Sequence, residues 1–244
     1  MKIVVVNDYN EMSKKAANII ASQIILNSNS VIGFATGETP LGTYRELVNI
    51  YNEGDVDFSD VKTFNLDEYY HLPKENPQSY NFYMSENLFK HVNVKPENIH
   101  IPNGMCENIE EECANYENAI KQAGGIDLQL LGIGRNGHIG FNEPDVKFEA
   151  TTHLVHLDED TIKANSRFFD SIEKVPTKAI SMGIKTIMQA KKIVLLASGV
   201  EKSEAIYNTV KGPITPEVPA SVLQLHPDVT LIVDKDAGSR LNLR

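Results

Sequence analysis

Positive charge, cysteine and long apolar runs are all scarce in this chain. It carries 23 lysines and arginines against 33 acidic residues, a net charge of −10. Nonspecific nucleic-acid binding needs a basic face, and this balance does not supply one. A phosphorylated substrate stays compatible, because a few local cations and backbone amides can outweigh the global sign. The two cysteines, Cys106 and Cys113, have six residues between them and match no common zinc spacing or CxxC pair. They read as free thiols. No apolar run reaches the roughly 18 residues of a membrane span. The opening MKIVVVND has the pattern of a strand and lacks the parts of an export signal, so a cytoplasmic location is expected. What the chain does have is 244 residues that are 41% hydrophobic and 23% charged, enough for an ordinary globular fold with a sizeable core.

Strand and helix patterns alternate along it. Residues 2–6 read as a short buried strand. Met12, Ala16, Ile19, Ile20 and Ile24 then fall at helical spacing within a helix over 9–26. A buried strand over 31–35 runs into Thr36-Gly37-Glu38-Thr39-Pro40, and helical periodicity follows. A strand, a glycine turn and a helix start make a ready anion site, since free N–H groups and the positive end of the helix dipole converge there. The plainer reading makes Thr39 a helix cap ahead of Pro40. A third strand over 61–66 ends in Asp67-Glu68, where Asp67 could equally be a turn carboxylate. Helices are predicted over 76–91, with Pro77 in the first turn, over 108–122 and over 178–189. Further strands are predicted over 126–133, 151–157, 193–197 and 229–233, with a helix from about Lys202. His153 and His156 lie three apart on a strand pattern, which points them to opposite faces and makes a poor metal pair.

The most distinctive stretch is Leu130–Pro144, LLGIGRNGHIGFNEP. An apolar strand gives way to four glycines interleaved with Arg135, Asn136, His138, Asn142 and Glu143. Such a loop can be only a tight turn. It can also bring a carboxylate to an imidazole, favouring the protonated ring and suiting proton transfer near neutral pH. The alternation predicts an α/β fold: a Rossmann-like, open, mostly parallel sheet with helices on both faces. Right-handed crossovers then bring the loops 36–39, 67–68, 135–143 and 198–202 to one edge of that sheet.

With those loops in place the chain resembles the glucosamine-6-phosphate deaminases, within the sugar-phosphate isomerase and 6-phosphogluconolactonase superfamily. The resemblance runs nearly the whole length and rests on FATGETPLGTY, TFNLDEYYHLP, GIGRNGHIGFNEP, ANSRFF and SVLQLHPD, in family order. It implies conversion of glucosamine 6-phosphate and water to fructose 6-phosphate and ammonia. It implies Asp67 as the base that moves the C2 proton to C1, and His138 as the ring-opening group with Glu143 and Asn136 as partners. It places the phosphate on Thr36, Gly37, Glu38 and Thr39, with Arg167 and Lys202 closing over it. It also implies a single domain over 1–244 with an active-site lid at about 151–180. The mechanism calls for no metal or organic cofactor, and the implied partner is a small-molecule substrate with no nucleic acid and no membrane. Both a monomer and a homo-oligomer fit. The chain departs from many members at Asn136, where they carry Asp. An amide holds no charge, so electrostatic support of the imidazole is expected from Glu143, with Asn136 only hydrogen-bonding.

Two other readings stand beside this one. A lactonase or another aldose–ketose isomerase could use the same fold; Asp67 and the FNEP ending speak for the deaminase, since site chemistry decides function. A sugar-phosphate sensor is the other. It would be expected to carry a DNA-binding helix-turn-helix, for which there is neither spare length nor a basic face.

Overall fold

The computed structural model describes residues 1–158, 161–163, 166, 169, 171 and 174–241. A seven-stranded parallel sheet runs through it. Its strands are β1 (Lys2–Val6), β2 (Val31–Phe34), β3 (Lys62–Asn65), β5 (Ile99–His100), β6 (Leu128–Leu131), β9 (Lys192–Ala197) and β10 (Val229–Asp234), in the spatial order β1-β10-β9-β6-β2-β3-β5. A second sheet of three strands is antiparallel, with β4 (Asp67–Tyr69) and β7 (His153–His156) flanking β8 (Lys178–Ser181).

The path explains which face each helix covers. From β1 the chain advances through β2 and β3 to β5, and the intervening helices α1 (Tyr9–Leu26), α2 (Leu41–Asn52) and α3 (Tyr80–Asn87) pack on one face. Met12, Ala16, Ile20, Tyr44, Leu47 and Met84 meet Ile32, Phe34 and Leu128 there. It then returns through β6 and β9 to β10, so right-handed crossovers put α4 (Ile109–Gln122), α5 (Ile184–Met188) and α6 (Ser203–Lys211) on the opposite face. Tyr116, Ile120, Ile187 and Ile206 pack against Val31, Phe64 and Leu195 on that side. With both faces covered, β2 and β6 are buried at every position. The connections leave β2 and β6 in opposite directions, so a crevice opens between their C-terminal ends, the usual ligand position in such sheets.

Several expectations from sequence are corrected. β1 is an edge strand and only half-buried: Val6 is covered, Ile3 and Val4 partly so, and Val5 is 45% exposed. The strand expected over 126–133 spans only Leu128–Leu131. The helix expected over 76–91 begins at Tyr80, leaving Pro77 outside, because Ser79 caps it and accepts the Phe82 N–H. The 178–189 stretch is not one helix: Lys178–Ser181 pairs with β4 and β7, and Gly183 separates it from the five-residue α5. Thr39 does not cap α2; Pro40 occupies the cap position and no side chain bonds to it. Among the described residues no helix is long and apolar enough to cross a membrane.

Candidate active site

Asp67 opens β4 rather than closing β3, and Leu66 is the link between the two sheets. Its N–H donates to Phe34 in β2, and its carbonyl accepts from Met182 beyond β8. Asp67 is 5% exposed and pairs with Ser181 across the small sheet. Burial pushes its carboxyl up to about 8; the Glu68 charge adds to this, and the Thr36 hydroxyl pulls it back. Glu68 is buried too, and that pushes its carboxyl up to about 7 against three backbone donors that lower it. Those donors are the N–H groups of Tyr69 (2.8 Å), Tyr80 (2.9 Å) and Asn81 (2.8 Å). Glu68 therefore fastens the start of α3 to β4, and its geometry is that of a structural carboxylate. Asp67 has fewer such ties and lies just past the C-terminal end of β3.

The glycine-rich loop reaches Asp67 from β6. A Cβ added at Gly140 would lie 3.5 Å from Asp67 Oδ2, ordinary contact distance that sets the loop beside this carboxyl; the φ of +59° and a tight 3.2 Å to Ser181 Oγ are what disfavour a side chain there. Ser181 Oγ accepts the Phe141 N–H, while Asn142 Nδ2 donates to the carbonyls of Ile139 and Met182. The end of β8 thus holds the loop against Asp67. Within the loop His138 Nδ1 stands 3.0 Å from Glu143 Oε2, an ion-pair distance in which the ring N–H is not aimed straight at the oxygen. Asn136 Nδ2 donates to the same oxygen at 3.0 Å, and Asn136 Oδ1 accepts the His138 N–H. Thr161 donates to the other oxygen, Glu143 Oε1, at 2.5 Å. Burial works to raise the Glu143 carboxyl, but His138, Thr161 and Asn136 together bring it below its ordinary value. The imidazole remains 22% exposed beside a carboxylate that is 6% exposed, so solvent or substrate can reach the ring while its partner stays fixed.

The remaining loops frame this pair. Thr36–Thr39 follows β2 with Gly37 at φ of +94°. Lys202 follows β9 and donates Nζ to the Ile133 carbonyl, just past β6, at 2.8 Å. Gly199 N and Ser198 Oγ are tied to Asp234 at the end of β10, which fixes the turn that carries Lys202.

A profile for the glucosamine-6-phosphate isomerases/6-phosphogluconolactonases matches residues 7–232. The chain belongs to that family. It is 64% identical to a glucosamine-6-phosphate deaminase of Clostridioides difficile (strain 630), over 99% of this chain and 97% of that protein. It is 65% identical to one from Clostridium acetobutylicum, over 99% and 100%. A solved structure of a monomeric glucosamine-6-phosphate deaminase superposes with a TM-score of 0.96 at 47% identity, covering 98% of this chain and 99% of that one. A 6-phosphogluconolactonase from Trypanosoma cruzi shares the fold, with a TM-score of 0.78 at 18% identity and coverage of 99% and 97%.

In this family member the structure brings Thr36, Asp67, Asn136, His138, Glu143 and Lys202 to one edge of the sheet, as the strand order requires. Arg167 lies outside the described residues, as does Phe168 beside it. Sequence reasoning missed Thr161, Ser181 and Tyr80. Tyr80 stacks on Phe141 at 5.8 Å, lies against Tyr69 at 4.8 Å, and has the Thr36 hydroxyl within hydrogen-bonding reach. Thr161 and Ser181 each act across a gap of 18 or more residues and carry no local pattern. Tyr80 directly follows Ser79, a good helix cap three residues after Asn76, and that cap signal could have placed it at the helix start.

Proposed function

We propose that this chain deaminates and isomerises glucosamine 6-phosphate to fructose 6-phosphate and ammonia, as the named relatives do. What supports the reading is that neighbouring loops at one edge of the sheet carry two different proton-transfer groups. One is a buried carboxyl, Asp67, raised to about 8. The other is an imidazole, His138, held on a carboxylate. The substrate arrives mainly as a closed ring, so its first need is a group that passes a proton from O1 to the ring oxygen O5. His138 can take and return a proton, and Glu143 favours the cationic intermediate. Opening exposes an aldehyde at C1, which makes the C2 proton acidic.

Asp67 takes that proton in its ionised form, leaving an enolamine between C1 and C2. The protonated Asp67 then delivers a proton to C1, giving a ketimine at C2. Water adds to C2, and the carbinolamine expels ammonia to leave the ketone. A base near its working pH combines sufficient ionisation with useful basicity, and burial brings Asp67 into that range. Asn136 bonds Glu143 without adding charge, so Glu143 alone supplies the electrostatic support. The N–H groups of the 36–39 loop and the Thr39 hydroxyl take the phosphate, with Arg167 and Lys202 as its cations. Binding energy from this remote group orients C1 and C2. The stretch around Thr161, between β7 and β8, is assigned as the cover of the site, with Thr161 held on Glu143. The assignment fits a cytoplasmic enzyme of amino-sugar and N-acetylglucosamine breakdown, classed with the hydrolases. Ammonia release from glucosamine 6-phosphate tests it, set against hydrolysis of 6-phosphogluconolactone; lactone hydrolysis without ammonia would reassign the chain within its fold.

A further inference from the structure

We propose that the hydroxyls of Tyr9, Tyr44 and Tyr83 form a brace that turns the carbonyls of the 35–38 loop away from the crevice, leaving its N–H groups for the substrate phosphate. This rests on the assignment of the phosphate to that loop. A backbone anion site needs donors presented and acceptors withdrawn, because each carbonyl oxygen carries a partial negative charge that repels an approaching phosphate. Three of the loop's carbonyls are taken by tyrosines from three different helices. Tyr44 of α2 donates to Ala35. Tyr83 of α3 donates to Gly37 at 2.5 Å. Tyr9, at the start of α1, donates to Glu38 at 3.0 Å and accepts the Gly42 N–H at 2.8 Å.

The donors of the loop are left the other way. The N–H groups of Thr36, Gly37 and Thr39 reach no protein acceptor among the described residues. Positive φ at Gly37 lets the peptide turn its carbonyl toward Tyr83. Gly42 makes room for the brace: a Cβ there would lie 2.9 Å from the Tyr9 ring and 2.2 Å from Ser13 Oγ. Burial holds the Tyr44 and Tyr83 hydroxyls well above the ordinary phenol range, so both stay protonated donors. Glu38 enters through its backbone; its carboxylate has the wrong sign for a phosphate contact.

The experiment uses the full chain with Tyr9→Phe, Tyr83→Phe and the double variant, which keep the rings and remove only the hydroxyls. Kinetics on glucosamine 6-phosphate are read together with competitive inhibition by inorganic phosphate and with thermal melting. Each single variant is expected to raise KM and the phosphate inhibition constant in parallel, by roughly 3- to 10-fold, the usual range for one lost hydrogen bond. The double variant raises both further, and kcat stays within about twofold. Phosphate that inhibits every protein equally, with unchanged KM, overturns the brace and leaves the phosphate loop standing. So does a fall in melting temperature and kcat at unchanged KM, which is the signature of tyrosines that only support the fold. Phosphate that fails to compete even in the wild type overturns the loop assignment and the brace with it.

Discussion

Gly134→Ala is the smallest change that separates the geometry of the imidazole from the stability of the fold. An added Cβ would lie 2.3 Å from Cε1, 2.4 Å from Nδ1 and 2.6 Å from Nε2 of His138. Carbon atoms in contact sit at about 3.5–4.0 Å, so the ring must move by roughly 1 Å or more. The easiest escape is rotation of the His138 side chain, and it breaks the 3.0 Å approach to Glu143. Misplacement on that scale costs on the order of 100-fold in rate. The backbone does not object, since Gly134 is absent from the positive-φ positions. Replacing such a glycine by alanine is neutral to slightly stabilising, by about 0.4–1 kcal/mol, through the unfolded chain. The expected result is a fall of about 100-fold in kcat for ammonia release with melting temperature unchanged or slightly raised. Gly137→Ala is the contrast: φ of +87° and a Cβ 2.7 Å from Val218 Cγ1 predict a loss of stability as well. A Gly134→Ala enzyme with kcat within threefold of wild type would refute the idea that the ring's position against Glu143 matters.

Thr161→Val keeps the shape of a buried side chain but removes the donor to Glu143 Oε1. A hydrogen bond to a charged group is worth about 1.5–3 kcal/mol. Steady-state assays should show kcat reduced about tenfold or more, restored by Thr161→Ser. Asn136→Asp places a second carboxylate beside Glu143 and should move the acid limb of kcat/KM to higher pH by less than about one unit; complete loss of activity would count against Glu143 as the sole charged support. Asp67 and Glu68 have folded values of about 8 and about 7, above those of the unfolded chain. Between the unfolded and folded values the native state therefore holds more protons. Their contribution to stability is full at acid pH and is lost as pH rises toward 7–8, by up to about 1.4 kcal/mol per unit for each carboxyl. Denaturant titrations should show Asp67→Asn gaining stability over wild type between pH 5 and pH 8. Equal stability at both pH values would show that Asp67 is not held neutral by burial.

The sheet edge was legible because the β-α alternation is regular and the handedness of crossovers leaves little choice. Loops after β2, β3, β6 and β9 had to converge, and the spatial order β9-β6-β2-β3 makes them neighbours. His138 and Glu143 were legible because five residues of glycine-rich loop can bring them together. The second sheet was not, for a physical reason. β4 has three residues, and β8, Lys-Ala-Ile-Ser, has no period that separates strand from helix. Only pairing with each other and with β7 makes them strands. Glu68 looked like a second site carboxylate beside Asp67. Its role at the start of α3 depends on Tyr80 and Asn81, 12 and 13 residues on. The tyrosine contacts to the 35–38 loop span 29 and 46 residues for Tyr9 and Tyr83, beyond any local signal.

Asp67 is assigned as the base acting on carbon, while the His138–Glu143 pair handles the ring oxygen. The measurement that bears on it most directly is ammonia release from glucosamine 6-phosphate by wild type and Asp67→Asn side by side. Exchange of the C2 proton with deuterated solvent is followed by NMR in the same samples. Removing a positioned base costs about 10²- to 10⁴-fold. Wild type should release ammonia, and Asp67→Asn should lose at least 100-fold in both ammonia release and C2 exchange. An Asp67→Asn enzyme that still exchanges the C2 proton within tenfold of the wild-type rate would contradict it and move the base elsewhere.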